Sequence, residues 1–560
     1  MAVLKRPADP ALAATVLVLW LLLGLFVVFP MAMLLARTFW VDGALSLDGV
    51  QAVMTQKNHL RAFWNSLLLA AIVGVAGTVL GFLFAFTATR ARLHPGYAAA
   101  LDAIILLPLI SPPFTTAISI IFSLGPRGLI TYELLGIKGY TVYGLGSTAF
   151  SEILTFFPIA YLTLRPMLAA IDPNLEAMAR SLGAPRRRVF RTVTLPLCIP
   201  GLANSFLLLF AASLADFATP LILAGNAFPV LPTDAYLQIT GMFDLRGGAA
   251  LSFMLLIPAL SVYLLQRWWV SRGYYVTVTG KSAAQTPFDS VTPWTARMLL
   301  ASCFAVALVI AYLYVLLLYG SLVMALGANH AWTLQHYHAI FTGGMKAIVD
   351  TLIIAGFAMP LGGLFGILVG YLVARKNFPG RRTMEVASML NYALPGTIVG
   401  IAYLIAFNDP PIAITGTALV IVACYVFRYG ATGIRTTMAL LEQVDRSLEE
   451  ASQGLGASSG ATFRRVTLPL ILPAFFAGLG VVFIRSMTAI SATIFLISVS
   501  WTLITVKILD NMTELSLGPA AAFSVFVVVV VYAVVAMVGW LLRRLRAPGA
   551  APVASLLGGG

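Results

Sequence analysis

Residues 174–190 read Asn174-Leu-Glu176-Ala-Met-Ala-Arg-Ser-Leu-Gly183-Ala-Pro-Arg-Arg-Arg-Val-Phe190, and residues 447–463 read Ser447-Leu-Glu449-Glu-Ala-Ser-Gln-Gly-Leu-Gly456-Ala-Ser-Ser-Gly-Ala-Thr-Phe463. Both run on into Val-Thr-Leu-Pro, ending at Pro196 and Pro469. Glu176 and Glu449, Gly183 and Gly456, Phe190 and Phe463, Pro196 and Pro469, and Pro200 and Pro473 are all 273 residues apart, so one ungapped register relates the copies. A polar helical segment has been duplicated inside a greasy chain.

How greasy decides the class. Of 560 residues, 60% are hydrophobic and 10% charged, and the mean hydropathy is +0.94. That balance excludes an ordinary soluble domain and implies an all-α polytopic membrane protein. Stretches long enough to cross the hydrocarbon as helices lie at roughly 12–36, 62–88, 98–124, 144–165, 195–224, 248–269, 297–325, 347–373, 383–407, 412–430, 468–497 and 519–542. Twelve spans put both ends of the chain on one side. With Lys5 and Arg6 inside, 26 of the 35 Lys and Arg, among them Arg90, Arg92, Arg375, Lys376, Arg381, Arg382, Arg543, Arg544 and Arg546, fall in or beside inside segments. The excess of Lys and Arg in cytoplasmic loops therefore predicts cytoplasmic termini and a multi-pass protein of a bacterial inner membrane. The net charge of +14 then reports topology and contact with anionic lipid headgroups, not nucleic acid. The first span is too long, and lacks the small-residue cleavage site, for a removed signal peptide. Cys198, Cys303 and Cys424 show no metal or disulfide spacing and read as small core residues.

The duplication reaches beyond the polar segment. Asn65-Ser-Leu-Leu matches Asp350-Thr-Leu-Ile, Gly77 and Gly81 match Gly362 and Gly366, and Arg90 matches Arg375, all at an offset of 285. Six spans per copy is an even number of crossings, so the two halves share one orientation. Residues 1–270 are expected to form the first half, with its polar segment at about 172–192. Residues 271–296 are the cytoplasmic linker, 297–546 the second half with its segment at about 445–465, and 547–560 a flexible tail. The drop in offset from 285 to 273 places about twelve extra first-half residues in the outside loop between Gly125 and Gly144. The two Gly-x-x-x-Gly pairs permit close helix approach, and packing accounts for them.

Within each polar segment, Asp172 or Asp445 is positioned to cap a short helix, and Gly183 or Gly456 to end it. Phe190 or Phe463 lies in a second helical turn before the proline that opens the next span. A Glu, a Gly seven residues later and a following Leu-Pro resemble the coupling-helix motif of ABC importer permeases, and both halves carry it. The resemblance implies that Glu176, Gly183, Ala184, Phe190 and Glu449, Gly456, Ala457, Phe463 dock on two copies of an ABC ATP-binding subunit. The copies depart from the motif's paired alanines at Ala177-Met178 and Glu450-Ala451. Ser213-Leu-Ala-Asp-Phe-Ala-Thr-Pro220, Gly273-Tyr-Tyr-Val-Thr-Val-Thr-Gly-Lys281 and Arg485-Ser-Met-Thr-Ala-Ile-Ser491 further resemble the fused permeases of ferric-iron importers. That family implies two tandem six-helix type I permease halves, a periplasmic substrate-binding protein, and ATP and Mg bound by partner subunits rather than by this chain. The alternatives are the same architecture importing 2-aminoethylphosphonate, a sugar phosphate or a polyamine, and, more remotely, an ion-gradient carrier.

No catalytic set is evident, and the chain reads as a non-catalytic subunit. Gly280-Lys281-Ser282 resembles the end of a phosphate-binding loop, but position 275 is Tyr where that loop needs Gly. His336 and His338, with His330 nearby, invite a metal reading. They lie in Trp332–Phe341, which aligns with Leu45–Met54, and read better as an interfacial amphipathic turn. Asp216 and Arg485 are charges within spans and therefore costly. With Ser486 and Ser491 they are candidates for the translocation path, the alternative being an ion pair that locks two helices.

Overall fold

The computed structural model describes residues 10–41, 43–91, 94–272 and 291–544. Residues 273–290 of the linker, the tail, Lys5, Arg6, Arg92, Arg546 and the strings around Tyr275 and Lys281 lie outside the described residues; the ends of the expected linker, at 271–272 and 293–296, are taken up by helices that end at Arg272 and begin at Pro293. The fold is almost entirely helical. The first half comprises α1 (Pro10–Leu23), α2 (Phe29–Phe39), α3 (Asp48–Thr55), α4 (Lys57–Arg90), α5 (Pro95–Ile110), α6 (Phe114–Leu124) and α7 (Leu145–Ala170). It continues with α8 (Pro173–Ser181), α9 (Arg186–Val189), α10 (Leu195–Ala215), α11 (Ala218–Leu223), α12 (Leu231–Thr240) and α13 (Leu245–Arg272). The second half opens with α14 (Pro293–Leu322), α15 (Gln335–Thr342), α16 (Met345–Arg375), α17 (Arg381–Ala393) and α18 (Gly396–Phe407). Then follow α19 (Ala418–Gln443), α20 (Ser447–Gly454), α21 (Ser459–Thr462), α22 (Leu468–Thr488), α23 (Ile504–Thr513) and α24 (Leu517–Arg544).

These elements repeat in register. Helices α7 and α19, α10 and α22, and α12 and α23 begin and end 273 residues apart. Even the small hairpins recur, Trp40–Val41 on Ala44–Leu45 and Val323–Ala325 on Asn329–Trp332. The repeat extends to single hydrogen bonds. Ser66 Oγ accepts the Leu231 N–H at 2.8 Å, and its counterpart Thr351 Oγ1 accepts the Ile504 N–H at 2.8 Å. Between α6 and α7 the first half spends residues 125–144, and between α18 and α19 the second spends 408–417.

Each half is built on a three-helix bundle, α4 with α7 and α10, and α16 with α19 and α22. Small residues set the spacing. A Cβ on Gly81 would come within 2.5 Å of Ala160 Cβ, and one on Gly366 within 2.9 Å of Gly433 Cα. The leading helices are exchanged between halves: α2 packs on α18, and α14 packs on α6, α5 and α4. Polar side chains fix the exchange. Tyr312 Oη is 3.0 Å from Ser123 Oγ, and Tyr314 Oη donates to Ser111 Oγ at 2.6 Å. Between α1 and α2 the chain widens into a π-helical turn, Gly24–Val28. There the Phe26 carbonyl accepts from Tyr403 Oη at 2.5 Å and Asn391 Nδ2 at 3.2 Å, while the Phe26 ring stacks on Phe427.

Among the described residues ten helices are long and apolar enough to cross a membrane, or eleven if a bent pair counts as one span, against the twelve expected. The bent pair is α17 and α18, which meet at 106° where Leu394-Pro395 cannot continue a helix. Arg428 Nη1 donates to the Asn391 and Leu394 carbonyls that the bend leaves free, both at 2.9 Å. The expected span 98–124 divides at Ser111-Pro112-Pro113 for the same reason. The spans expected at 195–224 and 468–497 are also shorter: α10 stops at Ala215 and α22 at Thr488.

Candidate functional site

The duplicated segments form one pair of surfaces, at the end of the bundles where α4 and α16 finish. Asp172 Oδ1 accepts the Asn174 N–H, starting α8, and Asp445 Oδ1 accepts the Ser447 N–H, starting α20, both at 2.9 Å. Gly183 with φ +84° and Gly456 with φ +87° close the helices in the left-handed region. Phe190 and Phe463 each begin a π-helical turn that feeds α10 and α22. Phe190 packs edge-on against Phe86. Phe463 lies 4.6 Å, centroid to centroid, from Tyr371, which is the repeat counterpart of Phe86.

Both glutamates turn inward. Glu176 is 1% exposed. Its Oε1 lies 2.9 Å from Arg90 Nη2 at the end of α4 and accepts from Thr194 Oγ1 at 2.8 Å. Glu449 Oε1 lies 3.5 Å from Arg375 Nε at the end of α16 and accepts from Thr467 Oγ1 at 2.9 Å. Arg375 also donates through Nη2 to the carbonyls of Leu441 and Val444, where α19 ends. One carboxylate thus ties each segment to the helix before it in the bundle and to the helix that follows. Such a buried pair is costly to break from one side, about 3–5 kcal/mol, because the surviving charge stays desolvated.

The outward faces are apolar. Leu175, Met178 and Leu182 are exposed along α8 and its end, at helical spacing. Leu448 and Leu455 repeat the first and last of them. Leu182 is 86% and Leu455 89% exposed, so neither supports its own fold. Ala184 and Ala457 are half-buried beside them. The surrounding charge differs: Arg186-Arg187-Arg188 in the first copy stands where the second has Ser459-Gly460-Ala461.

The path candidates do not form one cluster. Asp216 is buried at the end of α10, its Oδ1 accepting the Ala218 N–H at 3.0 Å. Arg485 is exposed in the last turn of α22. No ion pair joins Asp216 to Arg485 among the described residues. Ser486 is buried, and Ser491 packs against Gly396 at the start of α18. Two of the histidines make protein contacts: His330 Nε2 reaches across to the first half, 2.6 Å from Glu133 Oε1, and His336 Nε2 is 3.0 Å from the Val323 carbonyl. A residue that sequence reading passed over is Glu152 of α7, fully buried, which accepts from Ser213 Oγ on α10. It was the lone acid in the span expected at 144–165, and that was its only sequence signal.

The Binding-protein-dependent transport system inner membrane component family matches this chain twice, at residues 77–272 and 362–547. The ferric transport system permease protein FbpB of Actinobacillus pleuropneumoniae is 34% identical over 550 residues, covering 96% of this chain and 80% of that protein. A putative ferric transport system permease protein FbpB 1 of Haemophilus influenzae is 35% identical over 500 residues, covering 88% and 78%. The molybdenum transport system permease protein ModB of Escherichia coli is 30% identical over 213 residues, covering 37% of this chain and 92% of its own length.

Proposed function

The chain belongs to the binding-protein-dependent transport inner membrane component family as a fused, two-half permease, and from that premise we propose that it forms the membrane passage of an ATP-driven importer of ferric iron. The observation that carries the cargo is the 34% identity to a ferric transport permease across 96% of this chain, where the molybdenum relative accounts for 37%. A periplasmic binding protein delivers the iron. Two ATP-binding subunits dock on the cytoplasmic side and hold the ATP and Mg, while this chain performs no chemistry. N- and C-termini are cytoplasmic, in a bacterial inner membrane.

The exposed leucines of the two segments support the docking reading, because a solvent-facing apolar face at helical spacing is what a helix laid in a partner's groove requires. Closure of the ATP-binding subunits moves both segments. The Arg90–Glu176 and Arg375–Glu449 pairs pass that movement to α4 and α16, and the two bundles rock about the path between them. The segments need only bias two arrangements of the membrane helices by a few kcal/mol. Asp216 from the first half and Arg485, Ser486 and Ser491 from the second are assigned to the path and its gates.

The test is ATP hydrolysis by the complex reconstituted with its ATP-binding subunits and candidate binding proteins. Stimulation by the ferric-loaded binding protein is expected. Stimulation only by a phosphonate-, sugar phosphate- or polyamine-loaded protein would overturn the cargo and leave the architecture standing.

A further inference from the structure

Glu152 and Asp216 are two buried acids in the membrane bundle of the first half, and neither has a basic partner among the described residues. Glu152 is 0% and Asp216 7% exposed. Ser213 links them, its Oγ donating to Glu152 Oε2 and its carbonyl accepting the Asp216 N–H at 3.0 Å. Glu152 Oε1 and Asp216 Oδ2 have no hydrogen-bond partner. Thr219, 0% exposed, lies beside the Asp216 carboxylate with its hydroxyl toward it. One oxygen of each carboxylate is thus bonded and the other is not; a buried oxygen without a partner is expensive, and ionisable groups at membrane depth mark ion pathways.

The repeat shows that the scaffold does not need them. At the position of Glu152 the second half has Tyr425, whose hydroxyl lies 2.6 Å from Thr493 Oγ1. At the positions of Asp216 and Thr219 it has Ala489 and Ala492. The same helices, α19 and α22, pack without any acid there. The pair also lies toward the end of α7 and α10 opposite the duplicated segments, which is the side of cargo entry.

We propose that Glu152, Asp216, Ser213 and Thr219 form a transit site for a hard, multivalent cation in the first half of the permease. Their donors are all oxygen, which suits hard cations rather than soft metals. Two carboxylates make a site that holds its ion briefly, as a path requires. The proposal rests on the reading of the cargo as ferric ion.

The experiment uses the complete importer in liposomes, with iron-loaded binding protein outside and ATP inside. Iron taken up is measured against ATP hydrolysed. Glu152→Gln and Asp216→Asn are each expected to lower that ratio by about tenfold, a loss of about 1.4 kcal/mol. Glu152→Asp, which keeps the carboxylate, restores part of it. Tyr425→Phe, at the related position of the other half, leaves it at the wild-type value. Wild-type ratios in both acid variants would overturn the site and leave the two carboxylates as structural groups bonded to Ser213 and Ala218. Should one variant fail to assemble, the other still decides. A wild-type complex that imports no iron defeats the cargo reading before any variant is compared.

Discussion

Arg90 Nη2 and Glu176 Oε1 lie 2.9 Å apart in a buried junction, and 285 residues after Arg90 the junction recurs between Arg375 and Glu449 at 3.5 Å. The acid of each duplicated segment therefore grips the permease itself, and the apolar face is what remains for a partner. Glu176→Gln should abolish stimulated transport while the ATP-binding subunits still bind. Co-purification and uptake, measured on the same preparation, check it. Arg90→Glu with Glu176→Arg should recover part of the loss, and a double-mutant cycle should show coupling of about 1–3 kcal/mol.

The two junctions are unequal. Glu449 is 9% exposed against 1% for Glu176, and its arginine contact is longer. Charge reversal at Glu449 should impair transport less than charge reversal at Glu176. Equal loss in uptake assays would count against any difference between the two docks.

Leu182 and Leu455 stand clear of the protein at the tips of the segments. Leu182→Asp and Leu455→Asp should leave the thermal stability of the purified permease within about 0.5 kcal/mol, as exposed substitutions do. Binding of the ATP-binding subunits should weaken by about tenfold or more if these are anchor positions. Titration with isolated subunits reads both effects.

Small-residue packing gives a test confined to stability. A Cβ on Gly81 meets Ala160 Cβ and the Tyr161 nitrogen, whereas one on Gly454 meets nothing within 4 Å. Gly81→Ala should cost about 1–3 kcal/mol through overpacking, and Gly454→Ala should cost nothing. Unfolding in detergent, followed through the buried aromatic residues, distinguishes them.

Much of the fold was legible because a repeat amplifies weak signals. Asn65 and Asp350 are different residues, yet the first donates to the Pro229 carbonyl and the second accepts the Thr502 N–H, positions 273 apart. An offset read from letters alone thus located equivalent contacts. The capping aspartates and the terminating glycines were legible for a similar reason: each acts within a few residues of itself. What escaped was set by distant partners. The inward turn of Glu176 depends on Arg90, and the burial of Glu152 on Ser213 of another helix. The breaks at Pro112-Pro113 and Leu394-Pro395 were visible as letters. Their acceptance at membrane depth depends on Arg428 and Tyr314 reaching them from elsewhere, and a hydropathy profile does not carry that.

The exchange of leading helices sets an order of assembly. The Phe26 carbonyl opened by the π-helical turn is answered by Tyr403, 377 residues further along the chain. A nascent chain that inserts its first helix early must leave that helix waiting in lipid, without the Tyr403 hydroxyl, until most of the protein has been synthesised. Docking of α2 on α18 therefore waits for the second half, and a ribosome that stalls before residue 403 leaves the first helices without the partner they pack on.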